Sequence, residues 1–233
     1  MLKTLNHLTR DLLHLFFPHF CHGCGSGLVD EGQLLCLQCH ARLPETNFFS
    51  LAGNPVEKTF YGRMPVEAAG ATYFFTRDSL VQHLVKELKY HGDKDIGYYL
   101  GRLTGVALKN SARFDTIDCI QPLPLNWRRE EKRGYNQAAL IAAGIAGELR
   151  LPMHTNAVIR KLATATQTKK DRIARWQTMR EVFEIAEPEP LKDRHVLLVD
   201  DIITTGATLE ACGSVMLKVP GLRLSIATVA WTI

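Results

Sequence analysis

HVLLVDDIITTGATL, residues 195–209, opens on an apolar run, passes through two adjacent carboxylates and ends in TTGAT. Residues 196–199 carry only Val and Leu and read as a strand buried on both faces, as parallel sheets require. A helix is expected to follow over residues 207–218. A helix N-terminus presents unpaired amides and the positive end of its dipole, so Thr204, Thr205, Gly206, Ala207 and Thr208 suit a phosphate held by backbone N–H groups and hydroxyls. Gly206 permits close backbone approach and an unusual dihedral. Asp200 and Asp201 stand at the carboxyl end of the strand, where open α/β sheets place their ligands. As acceptor-only groups they suit sugar hydroxyls. A capped helix preceded by an acidic turn is the plainer alternative for the same residues.

Outward from this stretch, strand and helix patterns alternate. Residues 68–75 read as a strand, Val81, Leu84, Val85 and Leu88 share one helical face, and Asp93 is placed to cap a helix through Ile96, Leu100, Leu103 and Val106. Residues 117–120 form a short apolar strand before the punctuated loop PLPLNW. Residues 138–149 read as a helix, Val158 and Ile159 as a strand, and residues 222–231 as a closing strand. This alternation predicts an α/β fold with a parallel sheet covered on both faces. Lys89 and Tyr90 precede Gly92 at a helix end, where a Lys compensates the helix dipole.

The chain of 233 residues is long enough for one α/β core with a small appendage. Its 46% hydrophobic and 22% charged residues exclude a disordered chain. No apolar run is long enough to span a bilayer, and His7, Arg10, Asp11 and His14 interrupt any signal-like segment, so a cytoplasmic protein without membrane insertion is expected. The formal charge of +4 is too small by itself to argue for nucleic acid. Residues 126–180, however, hold twelve Lys or Arg against four Asp or Glu, which suits either a phosphate-rich partner or a solvated surface.

Before the α/β pattern, Leu5, Leu8, Leu12, Leu15 and Phe16 suggest an amphipathic helix, and turn formers mark a boundary near residues 45–60. Between them Cys21, Cys24, Cys36 and Cys39 form C-x₂-C-x₁₁-C-x₂-C, two knuckles able to converge on one tetrahedral Zn²⁺. Four thiolates close the coordination sphere, so the expected role is structural. Cys119 and Cys212 read as packed thiols.

Residues 199–208 resemble the phosphoribosyl pyrophosphate motif of the type I phosphoribosyltransferases, in which apolar residues precede two acidic residues, two apolar residues, then TTG and a Thr or Ser. PLPLNWRREEKRGYNQA at 122–138, LKYHGDKDIGYYLGRL at 88–103 and ATQTKKDRIARWQTMREVF at 165–183 resemble the ComF and GntX subgroup. Its members are linked to competence for DNA uptake or have no assigned role, and they also carry an N-terminal Cys-rich element.

The resemblance implies a type I phosphoribosyltransferase fold over residues 60–233 and a zinc-binding element within residues 1–50. Asp200 and Asp201 would contact the ribose 2- and 3-hydroxyls and act in catalysis, while residues 204–208 would hold the 5-phosphate. The loop at 122–125 with Arg128, Arg129, Lys132 and Arg133 would receive pyrophosphate, accompanied by Mg²⁺. Tyr135, Asn136 and Gln137 either read the ligand or open a helix.

Two functions follow: transfer of the phosphoribosyl group to an acceptor, or a non-catalytic module that binds phosphoribosyl ligands or single-stranded DNA beside a DNA-uptake helicase. The family's base-covering hood is expected from residues 61–73 or 164–180. Arg172, Arg175 and Arg180 near Trp176 suit either weak single-strand binding or the pyrophosphate pocket, with Trp176 then in the core.

Overall fold

The computed structural model describes residues 20–27, 29, 32–161 and 182–233. The expectations for residues 1–17 and for the basic segment with Arg172, Arg175, Trp176 and Arg180 lie outside the described residues. The chain divides into two compact units, residues 1–43 and 44–233.

In the smaller unit, α1 (Leu37–Ala41) is a short helix with Cys36 at its N-cap and Cys39 on its buried side. In the larger unit, β1 (Ala68–Phe75), β2 (Cys119–Pro122), β5 (His195–Ile203) and β6 (Arg223–Thr232) form a four-stranded sheet in the order β1-β6-β5-β2. Every pair in it is parallel. Val196, Leu197, Leu198 and Val199 are each 0% exposed, which is what the unbroken apolar run required of a central strand. The strand does not stop there. It runs on through both aspartates, with Ile203 still paired to Trp231, so Asp200 and Asp201 sit on a rigid strand end.

Two further strands, β3 (Val158–Arg160) and β4 (Phe183–Ile185), make a separate antiparallel pair, although the alternating pattern had suggested that residues 158–159 belong to the parallel sheet. The strand expected at 117–120 begins two residues later, because the Ile117 amide turns back to the Phe114 carbonyl. Residues 45–60, where turn formers suggested a boundary, belong to the larger unit. Asn54 ties them down: its Oδ1 caps α2 (Pro55–Lys58), and its Nδ2 donates to the carbonyls of Phe48, Leu51 and Ala69.

The helices α3 (Leu80–Lys86), α4 (Lys94–Lys109), α5 (Trp127–Arg133), α6 (Gln137–Leu149) and α7 (Ala207–Met216) complete the unit. Asp93 caps α4 as expected, its Oδ1 accepting from the Asp95 amide at 3.2 Å. Val106 is 44% exposed, so the buried stripe of α4 differs from the apolar repeat read in the sequence. It includes Gly97, Gly101 and Gly105, and a Cβ on Gly101 would stand 2.1 Å from the Ile141 carbonyl oxygen of α6. Close helix contact, rather than apolar periodicity, fixes that face. Among the described residues no helix is long and apolar enough to cross a membrane.

Candidate functional site

A cleft of about 300 Å³ opens at the carboxyl ends of β2 and β5. Asp200 and Asp201 reach it from β5, Thr208 from α7, Arg129 and Arg133 from α5, and residues 123–126 from the loop after β2. Three more polar residues line it that the sequence reading did not place there: Lys89, Arg160 and Asn126. Lys89 Nζ lies 2.9 Å from Asp201 Oδ2, so it faces the carboxylates and is more than a counter-charge to a helix end. Asp200 is half-buried. Burial first, and then the neighbouring Asp201 charge, push its carboxyl up to about 8, against the lowering effect of the Asp201 amide, Lys89 and Arg160. At neutral pH the Asp200 carboxyl therefore keeps its proton most of the time.

Arg160 brings a guanidinium into the cleft from β3 with its Nε buried and, among the described residues, unpartnered. Gln137 is 4% exposed and its Oε1 is likewise buried and, among the described residues, without a partner. A buried polar atom left unpaired costs about 1–3 kcal/mol, so both atoms point to a ligand or water that completes them. Asn136 serves the fold: its Oδ1 caps α6 at the Ala138 amide, and its Nδ2 donates to the Leu123 carbonyl, fixing the loop after β2. Tyr135 likewise donates its hydroxyl to the Leu88 carbonyl.

Beside the cleft, Thr204, Thr205 and Gly206 turn the chain from β5 into α7. Gly206 holds φ +71°, and a Cβ there would meet Thr59 Cγ2 at 2.8 Å and Phe60 Cε1 at 3.1 Å. Thus the glycine is required by the protein's own packing as well as by backbone access. Among the described residues nothing accepts from the amides of Thr205, Gly206 and Thr208. Two of the turn's carbonyls are taken: Arg63 Nη1 donates to Thr205 O at 2.9 Å, and Gly206 O accepts from Glu210 N at 2.8 Å. Arg63 is braced in turn by Glu210, so the turn is held through the carbonyls of Thr205 and Gly206 while the amides of Thr205, Gly206 and Thr208 stay available. Such a turn is an anion cradle.

Of the residues singled out in the sequence, the structure brings Asp200, Asp201, Thr208, Arg129 and Arg133 to one cleft. Thr204, Thr205, Gly206 and Ala207 form the adjoining turn and do not line the cleft itself. Lys132 lines a neighbouring groove, and Arg128 stacks at 5.4 Å on Trp127 and lines neither. Residues 68–73 of the expected hood segment are the buried strand β1 and cannot close over a ligand. Cys119 and Cys212 are buried in the core, and burial pushes both thiols up, Cys119 to about 11.

In the smaller unit the sulfurs of Cys21, Cys24, Cys36 and Cys39 lie within 4.8 Å of one another. Cys24 Sγ and Cys36 Sγ are 3.7 Å apart, which matches the edge of about 3.8 Å that Zn–S bonds of about 2.3 Å give a tetrahedron. Burial disfavours a charged Cys21, but the amides of Cys36, Cys24 and Gly23 outweigh it and bring that thiol down to about 6. The Cys36 amide reaches Cys21 Sγ at 3.2 Å and the Gly23 amide at 3.4 Å. Burial and the other three sulfurs push Cys39 up to about 12. Four thiolates this close need a cation, and the cluster fits a structural zinc ion.

Residues 136–231, which include β5, the turn and α7, match the family model of the phosphoribosyl transferase domain. Competence protein F of Haemophilus influenzae is 32% identical over 214 residues, spanning 87% of this chain and 93% of that protein. The chain belongs to the competence protein F family. DNA utilization protein YhgH of Escherichia coli K12 is 30% identical over 138 residues, 58% of this chain and 60% of that protein. Competence protein ComFC of Bacillus subtilis is 26% identical over 149 residues, 62% of this chain and 56% of that protein. The larger unit of this competence protein F relative is a phosphoribosyltransferase-type domain, with a parallel sheet flanked by helices as the sequence implied.

Proposed function

We propose that the cleft binds 5-phosphoribosyl pyrophosphate and that the protein transfers its phosphoribosyl group to an acceptor. The observation that carries this reading is the juxtaposition of an amide-lined turn, two carboxylates and the cations Arg129, Arg133 and Arg160 around one cleft. The 5-phosphate takes the turn at residues 204–208. Asp200 and Asp201 accept from the ribose hydroxyls, and the pyrophosphate meets the arginines, whose guanidinium forks suit phosphate. Mg²⁺ accompanying the pyrophosphate would neutralise its charge. Asp200 and Asp201 are the carboxylates it would meet in the cleft among the described residues.

In the transfer, the bond from C1 to the pyrophosphate oxygen breaks, pyrophosphate leaves with the electron pair, and the acceptor's lone pair forms the new bond to C1. The chain's contribution is electrostatic: the Asp201 carboxylate, joined by Asp200 once it ionises, beside a carbon that becomes positive, and fixed cations beside a leaving group that gains charge. Replacing both aspartates in Asp200→Asn with Asp201→Asn is expected to weaken phosphoribosyl pyrophosphate binding by at least a hundredfold, from about 1.5–3 kcal/mol per charge-assisted hydrogen bond. Calorimetric titration with Mg²⁺ reads this. Wild-type affinity in the double variant would take the ribose away from these carboxylates.

The raised Asp200 carboxyl adds a pH prediction. Its proton is held in the folded protein up to about 8 and lost above it, so the stability it contributes is full below the ordinary carboxylate range and fades as pH rises through 8. Ligand affinity should move the other way, increasing as the stronger, ionised acceptor forms. Titrations between pH 6.5 and 9.5 should show this rise, and Asp200→Asn should flatten it.

A second reading takes its support from the printed names of the relatives, which concern competence and DNA utilization. In it the protein is an accessory module of DNA uptake whose basic surface holds single-stranded DNA beside a helicase partner. Counterion release then requires affinity for a labelled oligonucleotide to fall with salt, by a log–log slope of about −0.7 per phosphate contact. Fluorescence anisotropy at several salt concentrations decides it, and no binding at low salt removes direct DNA contact.

A further inference from the structure

We propose that Arg63 is a positioning residue for the phosphate turn: it grips the Thr205 carbonyl and so aims the Gly206 amide at the 5-phosphate. This rests on the reading of the cleft given above. Arg63 does not line the cleft, and its contact with the turn is through the Thr205 carbonyl, so its effect passes through the backbone.

The peptide between Thr205 and Gly206 is trans, which sets its C=O and its N–H on opposite sides of one plane. Arg63 Nη1 donates to Thr205 O at 2.9 Å, so the Gly206 N–H points away from Arg63. Glycine alone does not choose this orientation. Turning the peptide over would rotate the Gly206 φ by about 180°, out of the left-handed region, and glycine takes either value at similar cost. The turned-over peptide would present a carbonyl where a phosphate needs a donor. The choice falls to the group that holds the carbonyl.

Arg63 is placed to hold it firmly. Its Nη1 also donates to Thr59 O at 2.9 Å, its Nε donates to Glu210 Oε2 at 2.8 Å, and its Nη2 reaches the same carboxylate oxygen. One guanidinium thereby joins the C-cap of α2, the turn and the first turn of α7. Thr59 and Phe60, from the same segment, are the residues that a Cβ on Gly206 would meet. Residues 59–63 thus form a wall against the turn, and none of them lines the cleft. These contacts occupy all but one of the five N–H groups of a guanidinium, and Glu210 balances its charge. Arg63 is therefore poorly suited to hold a phosphate itself and well suited to fix the backbone that does.

The test uses the full chain and three probes titrated by calorimetry: ribose 5-phosphate, pyrophosphate with Mg²⁺, and phosphoribosyl pyrophosphate with Mg²⁺. Arg63→Met keeps the stem and removes the grip, and at 35% side-chain exposure Arg63 can be replaced without opening the core. The variant is expected to weaken both phosphate esters by about tenfold or more, the scale of one charge-assisted hydrogen bond, and to leave pyrophosphate within about twofold. A parallel loss of pyrophosphate would mark a general disturbance of the fold and overturn the inference. Glu210→Gln separates orientation from charge. It keeps an acceptor for Arg63 and uncovers its charge, so a cation acting directly on the phosphate would hold ribose 5-phosphate more tightly in this variant. Positioning requires affinity at or below that of the wild type, and a clear gain would overturn it. The aim of the amide is read by NMR of isotope-labelled protein. The Gly206 amide proton, identified as the glycine resonance missing in Gly206→Ala, should move downfield on addition of ribose 5-phosphate and lose that shift in Arg63→Met. An unchanged shift in Arg63→Met would also overturn the inference. If the wild type binds neither ester, the reading of the cleft fails and the inference with it. If the wild type binds both and Arg63→Met binds them equally well, the inference alone fails.

Discussion

Gly206→Val should yield a folded protein whose phosphoribosyl pyrophosphate affinity is at least a hundredfold lower. Gly206 sits at φ +71°, a left-handed conformation that costs a β-branched residue about 1–3 kcal/mol. The new Cβ would also press on Thr59 Cγ2 at 2.8 Å and Phe60 Cε1 at 3.1 Å. Relief requires the turn to move, and the amides of Thr205, Gly206 and Thr208 move with it. The core strands β5 and β6 precede and flank the turn and do not depend on it, so the loss of stability is limited. A penalty of about 2–4 kcal/mol would lower Tm by roughly 4–16 °C in a unit of this size. Gly206→Ala carries the same dihedral strain and the same first contact without the branch, and should fall between wild type and Val. Calorimetry and a thermal melt together read the result. A folded Val variant that binds normally would show that the turn does not hold the phosphate.

The turn also shows what a sequence reveals and what it conceals. Strand, carboxylates, TTG and helix are contiguous in residues 195–209, and local rules of burial, capping and helix dipole suffice to read them. The reason for Gly206 was only half legible, because Thr59 and Phe60 approach it from a distant part of the chain. Arg63 was not legible at all: it donates to the carbonyl of Thr205, 142 residues further along, and nothing in its own surroundings announces that. Lys89 was visible and misjudged. At a helix end before Gly92 it has an ordinary local explanation, and only the fold shows the Asp201 carboxylate 2.9 Å from it.

The same logic separates the four basic residues of α5. In the sequence, Arg128, Arg129, Lys132 and Arg133 are equivalent sources of charge. Once the segment is a helix capped by Asn126, their spacing sends them to different places: Arg129 and Arg133, one turn apart, reach the cleft, Lys132 only the groove, and Arg128 the Trp127 ring. A helical reading of the stretch would have sorted them, but between the PLPLNW loop and Gly134 there is no apolar repeat to call for one. The β3–β4 pair was hidden for a different reason. Its strands are three residues each, too short for alternation to distinguish an antiparallel pair from another strand of the sheet. Arg160, at the end of β3, was lost with it.

Cys36→Ser should abolish stable metal binding by the smaller unit. Purified wild-type protein is expected to hold one Zn²⁺ per chain, closed by Cys21, Cys24, Cys36 and Cys39. Cys36 takes part in three ways: its sulfur stands 3.7 Å from Cys24 Sγ, its amide donates to Cys21 Sγ at 3.2 Å, and it is the N-cap from which α1 presents Cys39. Serine preserves the amide and the cap, so the substitution isolates the sulfur. A hydroxyl is a harder, weakly acidic donor with a shorter reach, and three thiolates alone leave the fourth position open to water and chelators. Binding free energy at such a site is also folding free energy, so zinc loss should loosen residues 20–43. Elemental analysis after dialysis against a chelator measures the first effect, and protease susceptibility in that segment the second. Zinc retained in Cys36→Ser would remove this cysteine from the site. Wild-type protein without zinc, or with iron and visible absorbance, would replace a structural zinc knuckle by different chemistry on the same four sulfurs.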